Sequence, residues 1–294
     1  MNFQQMRCLC EISTNGLSIS RAAETLHTSQ SGVSKQVSLL ESELGVLIFH
    51  RSRGRLSGIT PTGEHIIGMA KNIVRESNNM KALCNEVDGK EGDPLVVAVT
   101  HTQARYVLPE VIKRYSRSHA TRVTMKPATP EQIVSMLLSG QAEIGITADD
   151  AALPDGLQAI TCRRFEKVVV VPKGHPLLQE SKVSLESIAR FPLITYEPGF
   201  SARRQVVETF ERNGLQPDIK VSAIDADVIK ACVESRLGIA VLSEVAFDSR
   251  REPTLRALPA GHLFPPSMTR IILCQNRFPR KCVRDFIKIS TADH

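Results

Sequence analysis

The stretch that decides the fold lies between residues 18 and 49 and reads SISRAAETLHTSQSGVSKQVSLLESELGVLIF. Ser18 or Ser20 can cap a first helix, and the polar run His27–Ser29 interrupts it. A second helix follows, because apolar residues recur at intervals of four, three and four and a glycine comes next. These residues are Val33, Val37, Leu40, Leu44 and Gly45. Two helices joined by a short polar turn match the helix-turn-helix template.

The second of these helices has a polar face near its start, opposite the apolar stripe. Hydroxyl, amide and ammonium groups there suit hydrogen bonds to base edges and phosphates, although for a lone helix a solvated polar face is the more common explanation. Three arginines then follow at alternate positions, with no acid between Glu43 and Glu64, which is typical of a turn that contacts a phosphate backbone. The residues predicted to contact DNA are Ser29, Gln30, Ser31, Ser34, Lys35, Ser38, Arg51 and Arg53.

A long helix is predicted to begin near Thr60–Gly63 and to run to about residue 89. Apolar residues recur every seven positions along it, which is the spacing of a coiled-coil seam between two copies of the chain. These residues are Ile66, Ile73, Met80 and Val87. A helix that lies on its own domain would give the same pattern. Residues 89–94, which read GKEGDP, are predicted to form a hinge.

Residues 95–294 alternate strand and helix patterns, beginning with the apolar run Leu95–Val99. Such alternation indicates an α/β region, and we expect its sheets to be largely parallel. At about 200 residues, this region is long enough to divide into two lobes.

Polar side chains follow several predicted strands at their carboxyl ends, where open α/β sheets bind ligands. Thr100–Gln103 could hydrogen-bond a tetrahedral oxyanion without adding charge, and capping of the next helix is an equally good explanation. Similar groups at Thr147, Ser201 and Asp225 are more typical of caps and turns. The doublet Asp149–Asp150 is predicted to lie in a solvated loop.

Composition and missing motifs exclude several classes of protein. Hydrophobic residues make up 42% and charged residues 23% of the chain, which excludes a disordered or collagenous protein, while the net charge of +6 decides no function. No nucleophile elbow, P-loop, zinc-protease or dinucleotide motif occurs, so we expect no catalytic residues, metal or cofactor. No signal peptide or membrane span is predicted, and seven cysteines without metal-binding spacing favour a reduced, cytoplasmic protein.

The quoted stretch resembles the winged helix-turn-helix of the LysR-type transcriptional regulators. The resemblance is carried by residues 22–37, AAETLHTSQSGVSKQV, and by Thr60–Gly63, and it extends over essentially the whole chain. Residues 100–106, THTQARY, and 225–230, DADVIK, are similar to the CysB/Cbl-like branch, which controls sulfur assimilation.

This resemblance implies an effector domain of two lobes, folded like periplasmic binding proteins, with a sulfate-type anion in the cleft. The motif of the branch implies that Thr100, Thr102 and Gln103 lie at the anion, and Ser201 stands where the branch has a threonine. Another threonine of the branch aligns with Ala148, while Thr147 lies one residue earlier. Sulfate, thiosulfate or adenylyl sulfate is the expected effector. The expected effector-binding residues are Thr100, Thr102, Gln103, Thr147, Ala148, Ser201 and Asp225.

The expected organisation is a winged helix-turn-helix over residues 1–60, a dimerising linker helix over 61–89 and an α/β effector domain over 90–294. Lobe I is expected over about 90–162 and 269–294, and lobe II over about 163–268. The expected partners are double-stranded promoter DNA, further copies of the chain in a homotetramer, and RNA polymerase, with no membrane. A regulator of another pathway, a solute-binding protein and an enzyme on the same two-lobed fold are the alternatives.

Overall fold

The computed structural model describes residues 1–52, 54–87 and 94–292. The chain forms two compact units, Met1–Lys90 and Glu91–His294. The elements of the first unit are α1 (Phe3–Thr14), α2 (Ile19–Thr25), α3 (Gln30–Leu44), β1 (Phe49–Ser52), β2 (Arg55–Ile59) and α4 (Pro61–Val87). Residues 89–93 of the predicted hinge lie outside the described residues.

Local hydrogen bonds set the bounds of α2 and α3. The Ser18 side chain accepts a hydrogen bond from the Arg21 N–H, and the Ser29 side chain accepts one from the Gly32 N–H. Helix α3 ends at Gly45, whose φ of 69° is a conformation that glycine adopts without strain. The apolar faces of the helices meet in one core, which includes Leu9, Ile12, Ala22, Val33, Val37, Leu40, Phe49, Ile67 and Ala70.

Strands β1 and β2 form an antiparallel hairpin, called the wing below, which packs closely against the start of α4. A Cβ atom on Gly63 would lie only 2.1 Å from the Ile48 carbonyl oxygen. No side chain fits at that distance, so the glycine of the Thr60–Gly63 motif is required by the close approach of two backbones.

The second unit alternates strands and helices along the chain. Its strands are β3 (Leu95–Val99), β4 (Val123–Pro127), β5 (Ile144–Thr147), β6 (Leu157–Phe165), β7 (Lys167–Pro172), β8 (Leu193–Tyr196), β9 (Ile219–Ala223), β10 (Ala240–Ser243), β11 (Leu255–Pro259) and β12 (Ser267–Cys274). Its α-helices are α5 (His101–Tyr106), α6 (Leu108–Tyr115), α7 (Pro130–Leu138), α8 (Leu185–Ala189), α9 (Ser201–Arg212), α10 (Ala226–Glu234) and α11 (Lys281–Thr291).

Two sheets divide this unit into two lobes. The sheet of lobe I has the strand order β4–β3–β5–β12–β6. In lobe II, β7 pairs with β10 and β11, and β8 pairs with β9. The Ile194 N–H donates to the Ile239 carbonyl at 2.8 Å, next to an isolated bridge between Leu193 and Ile239. Lobe II therefore has the order β9–β8–β10–β7–β11, which repeats the arrangement of lobe I.

The expectation of largely parallel sheets was wrong, because both sheets are mixed. Strand β3 pairs in parallel with β4 and β5, whereas β12 runs antiparallel to β5 and β6, and β7 runs antiparallel to β10 and β11. Strand β6 carries the chain out of lobe I and β12 brings it back, so these two strands must run in opposite directions. The crossings fall between Phe165 and Lys167 and between Pro259 and Ser267, so that residues 163–165 belong to the sheet of lobe I.

Candidate functional site

The start of α3 forms an exposed polar surface on the first unit. Gln30, Ser31, Lys35 and Ser38 are exposed and Ser34 is half-buried. The apolar residues between them are buried in the core. The structure therefore brings these predicted residues to one face, with an amide, hydroxyls and an ammonium that suit the edges of base pairs.

Ser29 belongs to the same end of α3 and acts as its cap. Its Oγ accepts a hydrogen bond from the Gly32 N–H at 3.1 Å and lies 3.1 Å from Ser31 Oγ. A cap of this kind stabilises a helix by about 1 kcal/mol. The cap holds the first turn of α3, on which Gln30 and Ser31 lie.

An open groove of about 620 Å³ lies between α3 and the wing. Its walls are formed by Leu17, Ser18, Ile19, Ser20, Gln30, Ser31, Ser34, Gly54, Arg55 and Leu56. Arg55 is exposed and adds a cation to this groove. It belongs to the basic run of the sequence, but it is not among the residues predicted to contact DNA. Arg53 lies outside the described residues.

A buried carboxylate joins α3 to the wing. Glu41 is 7% exposed, and its Oε1 accepts hydrogen bonds from the Ile48 N–H at 2.9 Å and the Phe49 N–H at 3.2 Å. Its Oε2 lies 3.3 Å from Nη2 of Arg51, so this predicted phosphate contact is also an ion-pair partner of α3. Sequence reasoning missed Glu41, although an acid next to Leu40 on a buried helix face was a usable signal.

In the second unit, the carboxyl ends of β3, β5 and β8 meet at a cavity of about 50 Å³ between the lobes. The cavity is lined by Thr100, His101, Thr102, Gln103, Pro130, Thr147, Ala148, Asp149, Lys167, Tyr196, Phe200, Ser201, Ala202, Ile224, Ser243 and Ser267. Six of the seven predicted effector-binding residues are among them. Helices α5 and α9 both begin at this cavity, as expected where strand ends open onto a crevice.

Thr100, which follows β3, and Gln103 of α5 both line this cavity. Thr100 is 8% exposed and occupies the cap position of α5, but its side chain makes no capping hydrogen bond. Gln103 is buried, and its Oε1 accepts a hydrogen bond from Thr269 Oγ1 at 3.0 Å. Capping, the alternative explanation for Thr100, is therefore not observed.

Thr102 links the two lobes across the cavity. Its Oγ1 lies 3.2 Å from the Tyr196 hydroxyl, which belongs to β8 of lobe II. Burial raises the pKa of Tyr196 to about 12, so this hydroxyl is neutral at physiological pH.

Asp149 forms a second link between the lobes and corrects one prediction. It is 8% exposed rather than solvated, and its Oδ2 accepts a hydrogen bond from the Ser201 N–H at the start of α9 at 2.8 Å. Its own N–H donates to Thr147 Oγ1 at 3.0 Å, and Ser201 Oγ donates to the Ala148 carbonyl at 3.5 Å. Asp150 is exposed and pairs with Arg204, as a solvated acid does.

Asp225 is the predicted effector residue that the structure does not bring to the cavity wall. Its Oδ1 accepts a hydrogen bond from the Asp227 N–H at 2.6 Å, and it is the N-cap of α10. The side chain therefore caps α10, which is the more common role of a polar residue directly before a helix.

Lys167 is the charged group of the cavity that sequence reasoning missed. It is the first residue of β7 and is 2% exposed. Burial lowers the pKa of Lys167 to about 8, while the negative charge of Asp150 acts in the opposite direction. A single lysine at the start of the apolar run VVVV was the available signal, but such a residue usually lies at a solvated strand end.

A buried cluster connects α5 of lobe I to α10 of lobe II. Lys230 is 4% exposed and donates to the Tyr106 hydroxyl at 2.6 Å and to the Ala246 carbonyl at 2.7 Å. It forms ion pairs with Asp227, at 3.1 Å, and with Glu252. Burial acts to raise the pKa of Asp227, but hydrogen bonds from Tyr106 and Lys230 outweigh it and lower that pKa.

No group of three or more metal-ligating side chains occurs among the residues that the structure describes. Within the same ranges, no helix is both long enough and apolar enough to cross a membrane.

A winged helix-turn-helix joined to a two-lobed α/β unit with a polar cavity defines the class of DNA-binding regulators that carry a ligand-binding domain. The chain belongs to the LysR family of bacterial transcriptional regulators. Residues 3–64 match the family model described as bacterial regulatory helix-turn-helix protein, lysR family, and residues 88–293 match the LysR substrate binding domain. Its members are regulators of transcription rather than enzymes, as the sequence predicted.

Named relatives agree with this assignment. The transcriptional regulator SsuR of Burkholderia cenocepacia is 39% identical over 281 residues, which cover 95% of this chain and 91% of the relative. The transcriptional regulator CysB of the same organism is 36% identical over 98% of this chain and 93% of its own length. The solved cofactor-binding domain of the Cbl transcriptional regulator is 37% identical and covers 69% of this chain and 90% of that domain, with a TM-score of 0.66. The resemblance to the CysB/Cbl-like branch is thereby confirmed.

Proposed function

We propose that this chain regulates sulfur-assimilation genes and that a small sulfur oxyanion bound between its lobes controls that activity. The observation that carries the proposal is the convergence of hydroxyl and amide groups on one small cavity. These groups belong to Thr100, Thr102, Gln103, Thr147 and Ser201. Neutral donors of this kind bind oxyanion oxygens through charge-assisted hydrogen bonds. The description of the Cbl domain as cofactor-binding supports a ligand-binding role for the corresponding unit here.

The size of the cavity favours a compact anion over a nucleotide. A water molecule needs about 10–15 Å³ of such a cavity, so about 50 Å³ holds a few waters or one group of similar size. Sulfate and thiosulfate each contain five heavy atoms and match that space, whereas adenylyl sulfate requires the lobes to move apart. We therefore assign sulfate or thiosulfate as the effector.

The first unit is the DNA-binding half of the proposed regulator. The polar face of α3 would enter the major groove, with Arg51, Arg53 and Arg55 of the wing region at the phosphates. On α4, the exposed Met69, Ile73 and Met80 would meet a second copy of the chain, and two such dimers would form a tetramer that contacts RNA polymerase in the cytoplasm. Effector binding would act by favouring one arrangement of the lobes over another.

Replacing Thr100 by valine tests the effector site. Thr100→Val keeps the shape of the side chain and removes a hydroxyl that makes no capping bond, so sulfate affinity is expected to fall about 10- to 100-fold. Isothermal titration calorimetry of the full chain with sodium sulfate, sodium thiosulfate and adenylyl sulfate would measure this.

Thr124→Val is the matched control, because Thr124 is exposed on β4 of the same lobe. Its sulfate affinity should equal that of the wild type. Equal affinity of Thr100→Val and wild type would remove this residue from the site. Wild-type protein that binds none of the three anions would contradict the proposed function itself.

Lys35→Ala tests the α3 face and is expected to weaken specific DNA binding by about 1–3 kcal/mol. The DNA is a promoter fragment that the purified wild-type chain selects from genomic DNA, and the measurement is fluorescence anisotropy at fixed salt. Lys71→Ala is the control, because Lys71 is exposed on α4 away from the side of Met69 and Ile73. Unchanged affinity in Lys35→Ala would refute a base contact, and selected fragments without sulfur-gene promoters would refute the assigned genes.

A further inference from the structure

Lobe II contributes one charged side chain to the cavity, and this side chain is almost wholly buried. Lys167 is 2% exposed and lines the cavity together with the hydroxyls and amides of lobe I. Within the described part of the chain, its ammonium makes neither a hydrogen bond nor an ion pair. A buried cation without a partner is unfavourable, because it has lost water and gained nothing in return.

Ser243 lies beside Lys167 and is also without a partner. The two residues are directly opposite each other on the antiparallel strands β7 and β10, so their side chains lie on the same face of the sheet. Ser243 Oγ is buried, has no hydrogen-bond partner among the described residues, and belongs to the cavity wall. One ammonium and one hydroxyl are thus held next to each other with their hydrogen-bonding capacity unused.

The other charges around Lys167 do not supply the missing partner. Asp149 is the acid in the cavity wall, and its two carboxylate oxygens accept hydrogen bonds from the N–H groups of Ala151 and Ser201. Asp150 is exposed and is paired with Arg204. Burial holds the pKa of Lys167 down to about 8, as expected for an ammonium whose charge is not neutralised at close range.

We infer that Lys167 and Ser243 are two further groups of lobe II in the anion site, with the Lys167 ammonium as the group that selects a dianion by its charge. This inference rests on the proposed oxyanion-binding function and adds a charged subsite to it. The neutral donors of the site recognise the shape of a tetrahedral anion, but they carry no formal charge with which to discriminate strongly between one charge and two. Lys167 supplies that discrimination, because a compact ammonium acts as a point charge.

Sulfate and perchlorate are the test ligands, because both are tetrahedral and similar in size. Sulfate carries two negative charges and perchlorate carries one. Wild-type protein is expected to bind sodium sulfate about tenfold more tightly than sodium perchlorate in calorimetric titrations. In Lys167→Met, sulfate affinity is expected to fall about 100-fold and the preference over perchlorate to disappear. Ser243→Ala should weaken sulfate binding about fivefold and keep the preference.

The control is Lys173→Met, which removes an exposed lysine just after β7 and should leave both affinities unchanged. If wild-type protein binds neither sulfate nor thiosulfate, the proposed function fails. If wild-type protein binds sulfate and Lys167→Met binds it equally well, the oxyanion function stands and the role of Lys167 is refuted. If Lys167→Met does not fold, the inference is tested by the ratio of sulfate to perchlorate affinity in the wild type and by the Ser243→Ala variant. Equal wild-type affinities for the two anions would overturn the inference.

Discussion

Glu41→Ala is expected to lower the free energy of unfolding of the first unit by about 3 kcal/mol. The buried carboxylate accepts hydrogen bonds from the N–H groups of Ile48 and Phe49, and alanine leaves both donors without a partner. An unsatisfied buried donor costs about 1–3 kcal/mol. Arg51 also loses its ion-pair partner, so the wing should become mobile and DNA affinity should fall.

Hydrogen exchange of the first unit measures this effect directly. Amides of α1 and α3 in Glu41→Ala should exchange about 100-fold faster than in the wild type, if the opening equilibrium shifts by about 3 kcal/mol. Glu43→Ala is the control on the same helix, because Glu43 is 51% exposed and its ion-pair partner among the described residues is the exposed amine of Met1, so a loss below about 1 kcal/mol is expected. Equal exchange rates in the two variants would show that Glu41 does not hold the wing.

Lys230→Met is expected to destabilise the second unit by about 3–5 kcal/mol. The substitution removes the cation that faces Asp227 and Glu252. Asp227 keeps its ion pair with Arg105 at 2.6 Å, so Glu252, whose side chain is 18% exposed, is the carboxylate that loses its cation. Breaking such a pair from one side costs that amount because an uncompensated charge remains. It also removes the bond to Tyr106, so α5 loses part of its connection to lobe II.

Urea unfolding followed by circular dichroism, with hydrogen exchange of residues 101–106 and 226–234, tests this expectation. Lys220→Met is the control, since Lys220 is exposed on β9 of the same lobe. The double variant Lys230→Met/Glu252→Leu should recover part of the lost stability, because fewer buried charges are left without partners. A double variant less stable than the single one would argue against this electrostatic explanation.

The charges of Asp227 and Lys230 in this cluster stabilise the fold over a defined range of pH. The pKa of Asp227 is lowered from 3.8, so its stabilising contribution is present above that pH and is lost as pH falls through the lower, folded-state value. The pKa of Lys230 is raised from 10.5 by Glu252, Tyr106 and Asp227 against the effect of burial, so its contribution is present below pH 10.5. Between these limits the ion pair of Asp227 with Lys230 keeps both its charges.

Sequence patterns predicted the structural features that depend on residues close together in the chain. The caps at Ser18 and Ser29, the strand at Leu95–Val99 and the polar groups after it depend on neighbours within a few residues. Residues of the cavity wall were predicted from one rule, that ligands of open α/β sheets bind at the carboxyl ends of the strands. Thr100, Thr147 and Ser201 meet at the cavity because each lies just past or at such a strand end.

The residues that were missed depend on partners far along the chain. Tyr106 meets Lys230 across 124 positions, and Asp149 meets Ser201 across 52. Neither pair has a sequence signature, since nothing near either residue in the chain indicates its distant partner. The burial of Lys167 is of the same kind, because it depends on how β7 lies between β10 and β11 and not on the run VVVV that follows it.

The two crossings between the lobes restrict how the cleft can move. Two covalent connections, at residues 165–167 and 259–267, oppose separation and sliding of the sheets and leave rotation about the line joining them as the easiest relative motion. A distance between one spin label on each lobe, away from that line, would report this rotation, and ligands and substitutions could be compared by the distance that each produces.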